Sequence, residues 1–98
     1  VPYTRVPRLL YEADVFIFPT RIEGSPNALI QAMAAALPIV ASSIPPNREH
    51  LGDAGLYAKP GDALDFAKKT LRLLGDQRLA YQLARAAYER ARRLYSVE

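Results

Sequence analysis

The sequence predicts an α/β fold, three parallel strands flanked by helices. Two runs and one alternation predict it. Residues 14–18, Asp-Val-Phe-Ile-Phe, form an unbroken run rich in β-formers that Pro19 ends. Such a run suits a strand covered on both faces, as parallel strands are. Residues 26–37 then carry small and apolar side chains in a helical pattern, and residues 38–42 return to strand character. Strand-like runs alternating with helical periods argue for βαβ units and hence for a parallel sheet.

Taken in order, residues 1–14 read as a short helical lead-in, with Thr4 as its cap, Pro7 near its first turn and Leu9, Leu10 and Ala13 on its apolar side. Residues 20–24 form the loop at the carboxyl end of the first strand, where open α/β sheets bind ligands. Ser25 suits the N-cap of the next helix, because its hydroxyl accepts a hydrogen bond from an otherwise unpaired backbone N–H. Pro26 suits the first helical position, where its missing N–H costs nothing. Pro38 disfavours helical backbone at Leu37 and marks the stop. After the second strand, residues 43–47 (Ser-Ile-Pro-Pro-Asn) read as a loop kept extended by the double proline, with one helical turn at 48–51. Residues 52–55 are turn chemistry, residues 56–58 a third strand, and Asp62 the N-cap of the helix at 63–74. In that helix Leu64, Ala67, Leu71 and Leu74 align as an apolar stripe, with Lys68, Lys69 and Arg72 facing out. Gly75 ends it. Asp76 caps a last helix running to about Tyr95, with an apolar stripe of Leu79 or Ala80, Leu83, Ala87, Ala91 and Leu94.

Ninety-eight residues, half of them hydrophobic, predict one small domain over residues 1–98. The absence of cysteine excludes disulfides and thiolate–metal sites, and His50 alone excludes a multi-histidine metal site. No metal and no cofactor is expected. No segment has the roughly 18 consecutive apolar residues of a membrane span, so no transmembrane segment is predicted. VPYTRVPRLL lacks the apolar centre of a secretory signal. A cytoplasmic setting is expected. The net charge of +3 is mild. Arg78, Arg85, Arg90, Arg92 and Arg93 on the last helix raise the question of nucleic acid or an anionic membrane. Glu89 interrupts that face, and a solvated helix surface with no nucleic-acid partner is the expectation. His50 beside Glu49 suggests acid–base work, but a lone surface histidine is the commoner case and no nucleophile–base pair stands out.

The chemistry concentrates at residues 23–31, EGSPNALIQ. Glu23 lies just ahead of a marked helix start. Asn27 and Gln31 fall on one helix face. Gly24 lets a ligand approach the backbone closely, and the N–H groups of Gly24, Ser25, Asn27 and Ala28 belong to a helix N-terminus, which suits an anion such as phosphate. Without further context the same stretch is an ordinary strand-to-helix turn carrying an exposed glutamate that favours the helix dipole.

The string EGSPNALIQAMAAALPIVAS, residues 23–42, resembles the nucleotide-sugar signature of the retaining GT-B glycosyltransferases called group 1 or family 4. In that family a glutamate, seven residues, a second glutamate, a small-residue helix, a Gly-Leu-Pro-like stop and a Val-rich strand succeed one another. The flanks also match, in Leu10-Tyr11, Ala13 to Thr20, Gly55-Leu56-Tyr57 and Pro60-Gly61-Asp62. The resemblance covers nearly the whole chain but only the second half of that family's nucleotide-binding domain. It implies half of a Rossmann-like domain, a fragment inactive alone, and a UDP-, GDP- or ADP-linked sugar as donor. Glu23 would touch the donor sugar in the catalytic site, the backbone at Gly24, Ser25, Asn27 and Ala28 the sugar and diphosphate, and Gln31 the ribose.

Two residues depart from the family pattern. Gln31 stands where the family has glutamate; it keeps one carbonyl acceptor and loses the charge. Ala36 stands where the family usually has glycine, and a positive φ there would cost alanine about 1 kcal/mol. The rival reading is a non-catalytic scaffold or assembly module that keeps the fold. Either way, a half-domain leaves the first strand with a bare apolar edge, which invites pairing with another chain. A homodimer through that edge is expected.

Overall fold

In the computed structural model, which describes residues 15–20 and 27–95, three strands form a parallel sheet in the order β1-β2-β3. They are β1 (Phe16–Phe18), β2 (Ile39–Ser42) and β3 (Leu56–Ala58). Four helices flank them: α1 (Asn27–Ala34), α2 (Pro45–Leu51), α3 (Ala63–Leu74) and α4 (Gln77–Tyr95). The register sets Ile17 against Val40 and Val40 against Leu56. This is the expected α/β fold. The expected lead-in helix, the Ser25 cap and Pro26 lie outside the described residues, as does Asp14, and strand pairing starts at Phe16.

Side chains alternate across a strand, and the sheet accordingly has a core on each face. On one face, Phe16, Phe18, Ile39, Ala41 and Tyr57 meet Leu29, Ala32 and Met33 of α1, Leu51 of α2 and Ala87 and Ala91 of α4. On the other, Val40, Leu56 and Ala58 meet Phe66 and Leu73 of α3 and Ala80 of α4. Central β2 is buried along its whole length. Each fully buried Leu or Met contributes about 1.5–3 kcal/mol, so Leu29, Met33, Leu51 and Leu73 anchor the helices to the sheet.

Three expectations need correcting. The double proline does not keep residues 43–47 extended. It opens α2, with Pro45 and Pro46 in the first turn and Ile44 at the N-cap, because first-turn positions need no N–H and proline's φ is already helical. In α3 the stripe Leu64, Ala67, Leu71 and Leu74 is exposed, Leu64 and Leu71 at 66% each, and Phe66 and Leu73 are buried instead. The helix is amphipathic, but its wider apolar face does not point at this sheet. In α4 the buried line is Ala80, Ala84, Ala87 and Ala91, whereas Leu94 is exposed. Alanines allow close approach, and Ala87 and Ala91 share a core with Ala32 of α1.

The caps at Asp62 and Asp76 form as expected: Asp65 N–H donates to Asp62 Oδ1 at 3.0 Å and Leu79 N–H to Asp76 Oδ1 at 3.0 Å. Gly75 ends α3 in right-handed backbone, at φ −90°.

Candidate functional site

Parallel strands need crossover connections, and α1 is the crossover between β1 and β2. Its first turn therefore stands at the carboxyl edge of the sheet, beyond the end of β1. Leu29, Ala32 and Met33 point into the core, and this burial fixes which residues α1 presents to solvent. Asn27, Ala28 and Gln31 are the exposed ones. The structure thus brings Asn27, Ala28 and Gln31 together on the outer side of α1. Glu23, Gly24 and Ser25 lie outside the described residues.

The other end of α1 closes with a Schellman arrangement. Ala36 N–H donates to Met33 O at 3.0 Å and Leu37 N–H to Ala32 O at 3.2 Å. The motif puts its C′ residue in left-handed backbone, and Ala36 has φ 59°. Leu37 packs on the core that holds Ala32.

At the same carboxyl edge lies a polar cluster that sequence reasoning missed. Ser42, fully buried at the end of β2, donates through its hydroxyl to the carbonyl of Thr20, with Phe18 O at 3.4 Å. Asn47, 4% exposed, donates from Nδ2 to Ser42 O at 2.9 Å and Ser42 Oγ at 3.1 Å, with Thr20 Oγ1 at 3.4 Å. Thr20 is the last described residue before Glu23. The available signal was a serine closing an otherwise apolar strand and an asparagine inside the first turn of a short helix.

The expected arginine face is broken at Arg90. Its guanidinium turns inward and donates to His50 O at 2.8 Å and Glu49 O at 2.9 Å, capping the carboxyl end of α2. His50 is half-buried, with Nδ1 2.6 Å from Tyr95 Oη. Burial, the largest influence, raises the pKa of Tyr95 and also that of Tyr57, whose hydroxyl donates to Gly52 O at 2.6 Å. Among the described residues no group of three or more His, Cys, Asp or Glu side chains could hold a metal ion, and no helix is long and apolar enough to cross a membrane.

Residues 1–76 match the family described as glycosyl transferases group 1, and the chain belongs to that family. It is 34% identical over 76 residues to the O-antigen chain mannosyltransferase B of Escherichia coli, a match covering 78% of this chain and 20% of that protein. It is 35% identical over 85 residues to the N,N'-diacetylbacillosaminyl-diphospho-undecaprenol alpha-1,3-N-acetylgalactosaminyltransferase of Campylobacter jejuni, covering 85% of this chain and 23% of that protein. Among solved structures, sucrose-phosphate synthase from Thermosynechococcus elongatus superposes with a TM-score of 0.80 at 26% identity, over 97% of this chain and 24% of that one. The architecture is that of a GT-B Rossmann-like domain in part, and the chain spans about a fifth to a quarter of the length of these proteins.

Proposed function

We propose that this chain is one subdomain of a glycosyltransferase that takes its sugar from a nucleotide-diphosphate donor and transfers it with retained anomeric configuration. The observation that carries the reading is the family match over residues 1–76, which includes the whole stretch from Glu23 to Gln31. The exposure of Asn27, Ala28 and Gln31 supports it, since a ligand at that edge needs them accessible. Glu23 meets the donor sugar, the backbone of Gly24, Ser25, Asn27 and Ala28 the sugar and diphosphate, and Gln31 the ribose. Helix N–H groups and the dipole stabilise the leaving diphosphate. Transfer needs parts of the protein beyond these 98 residues, and the isolated chain binds without turning over. A cysteine-free sequence suits a reducing, cytoplasmic setting.

Titration of the chain with UDP, GDP and ADP tests this. A charge-assisted hydrogen bond is about twice as strong as a neutral one, so Gln31→Glu strengthens binding by about 1–2 kcal/mol, read as a 5- to 30-fold lower Kd. Absence of binding in both forms supports the rival reading, a scaffold that keeps the fold alone.

The same reading includes a homodimer. β1 has no neighbour on its outer side among the described residues. Beside it a cleft of about 520 Å³ is lined by Ile17, Pro19, Phe66, Ala67, Thr70 and Leu71. Edge and cleft are contiguous, so a second copy related by a two-fold axis covers both. Asp62 caps α3 and Asp65 lies in its first turn, while Lys68 and Arg72 follow further along. Antiparallel pairing of two α3 helices therefore sets acidic ends against basic ones.

A further inference from the structure

α4 holds more positive charge than the whole chain carries net. Its residues 77–95 include five arginines and one glutamate, a balance of +4, against +3 for all 98 residues. Arg90 is spent on the carboxyl end of α2. Of the others, Arg78, Arg85 and Arg92 alternate with Tyr81 and Tyr88 at spacings of three, four, three and four residues. Residues three or four apart are neighbours on a helix surface. The five side chains therefore make one continuous flank, beside the buried line of Ala80, Ala84, Ala87 and Ala91. The three arginines are exposed, and Tyr81 is 53% exposed. Among the described residues none of the three arginines forms an ion pair. The Arg92 guanidinium lies 5.9 Å from the centre of the Tyr88 ring. Tyr95 would extend the pattern, but its hydroxyl is engaged by His50.

Between Tyr81 and Tyr88 the flank opens into a notch of about 220 Å³, lined also by Ala36, Ala84, Arg85 and Glu89. The tyrosine rings and the alanines make it chiefly apolar. A partner that suits this surface offers anions to a row of cations and apolar matter to the notch between them. A nucleic acid offers phosphates but no aliphatic body. An anionic phospholipid offers both. We propose that the flank from Arg78 to Arg92 docks on an anionic membrane surface, with α4 lying along the headgroups. Tyrosine sets its ring in the apolar border of a bilayer and its hydroxyl among the headgroups. Arginine lays its apolar stem along the same border while its guanidinium binds phosphate. Glu89 is the one acid of the helix and opposes the docking. Ala36, which lines the notch, closes α1, so the docked surface lies at the opposite end of α1 from its first turn and leaves that turn clear.

Co-sedimentation of the chain with lipid vesicles tests this. The chain should bind vesicles of equal parts phosphatidylglycerol and phosphatidylcholine, and bind phosphatidylcholine alone at least about tenfold more weakly. It should leave the anionic vesicles at about 0.5 M salt. Each basic residue near an anionic surface is worth about a fivefold change in partitioning. Arg78→Gln and Arg85→Gln should therefore each weaken binding about fivefold, and Glu89→Gln should strengthen it by a similar factor. Lys68→Gln removes the same charge from an exposed position on α3 and should weaken binding less than about twofold. Tyr81→Ser changes no charge and should weaken it at least about threefold, through the lost interfacial ring. Binding with no preference for the anionic vesicles overturns the proposal. Equal weakening by Lys68→Gln and Arg85→Gln overturns it too, since net charge alone would then be felt. So does a Tyr81→Ser chain that binds as the unmodified one does. An RNA or DNA duplex bound more tightly than the anionic vesicles at the same salt overturns the lipid as partner.

Discussion

Ala36 is held at φ 59° by two hydrogen bonds that only a left-handed C′ residue can close. Left-handed backbone costs an L-residue with a Cβ roughly 1–2 kcal/mol, and glycine escapes most of that cost at a smaller entropic expense. Ala36→Gly should therefore stabilise the chain by about 1 kcal/mol, visible as a higher urea midpoint with an unchanged slope. Gly52 is the opposite case. It ends α2 at φ +60°, and a Cβ there would stand 2.8 Å from Arg90 Cζ. Arg90 can move only by releasing the Glu49 and His50 carbonyls that it caps. Gly52→Ala combines backbone strain with that loss and should destabilise by about 2 kcal/mol, measured by the same urea titration. A destabilisation in Gly52→Ala no larger than that of Arg90→Ala would show that the backbone strain is negligible. Both residues are partly legible in the sequence. Gly52 sits in an evident turn, and Ala36 stands where a glycine would be expected. The partner of Gly52 is not legible, because Arg90 arrives from a helix 38 positions further along the chain.

At the scale of elements, periodicity reports that α3 is amphipathic but not what its apolar face meets. Leu64, Ala67, Leu71 and Leu74 form the better helical stripe, yet the sheet is served by Phe66 and Leu73. A helix with apolar side chains in two directions reads as one stripe until the sheet's position is known. The Pro45-Pro46 pair misleads for a related reason: proline marks the edge of a helix, and the residues beyond it decide which edge. The polar cluster around Ser42 is invisible in the sequence because Thr20, Ser42 and Asn47 come from three separate segments. Features that local chemistry alone decides are legible, as in the Asp62 cap that opens α3, whereas the contacts of Asp65 at the same junction are not. There Asp65 Oδ2 accepts from Lys59 N–H at 2.8 Å and Oδ1 from Lys69 Nζ at 2.8 Å. The Lys69 hydrogen bond first, and the Lys59 N–H after it, hold the Asp65 pKa below its ordinary value. Between the lowered folded value and the ordinary carboxylate value near pH 4, the unfolded chain binds the proton more readily than the folded one. The contribution of Asp65 is therefore present above about pH 4 and is lost as pH falls through the folded value. Stability measured from pH 6 down to pH 2 should fall less steeply in Asp65→Asn than in the unmodified chain. Parallel curves would show that the junction adds nothing.

For the whole molecule the telling fact is how much apolar surface the sheet and α3 leave in water on one side. Ile17 is 43% exposed in the middle of β1, and Leu64 and Leu71 are each 66% exposed. Within the cleft that Ile17 and Leu71 border, Thr70 Oγ1 is buried with no hydrogen-bond partner. Stable protein interfaces bury about 1,200–2,000 Å² in total, and an exposed strand edge continuous with an apolar helix face is the kind of surface that reaches that size by self-association. In the proposed homodimer a two-fold axis beside β1 would pair the strand with its copy and lay the two α3 helices across each other, each Leu71 meeting apolar side chains. Light scattering from about 10 to 500 µM should therefore show a concentration-dependent monomer–dimer equilibrium. Leu71→Asp leaves the core untouched, because Leu71 points away from it. Burying a leucine is worth about 1.5–3 kcal/mol, and an unpaired carboxylate in its place adds a desolvation cost, so the variant should weaken the dimer by at least about tenfold per interface. Leu73→Asp makes the complementary control, since it strikes the core and should unfold the chain instead of dissociating it. A stable monomer at the highest concentration, in a chain that still unfolds cooperatively, would rule the homodimer out.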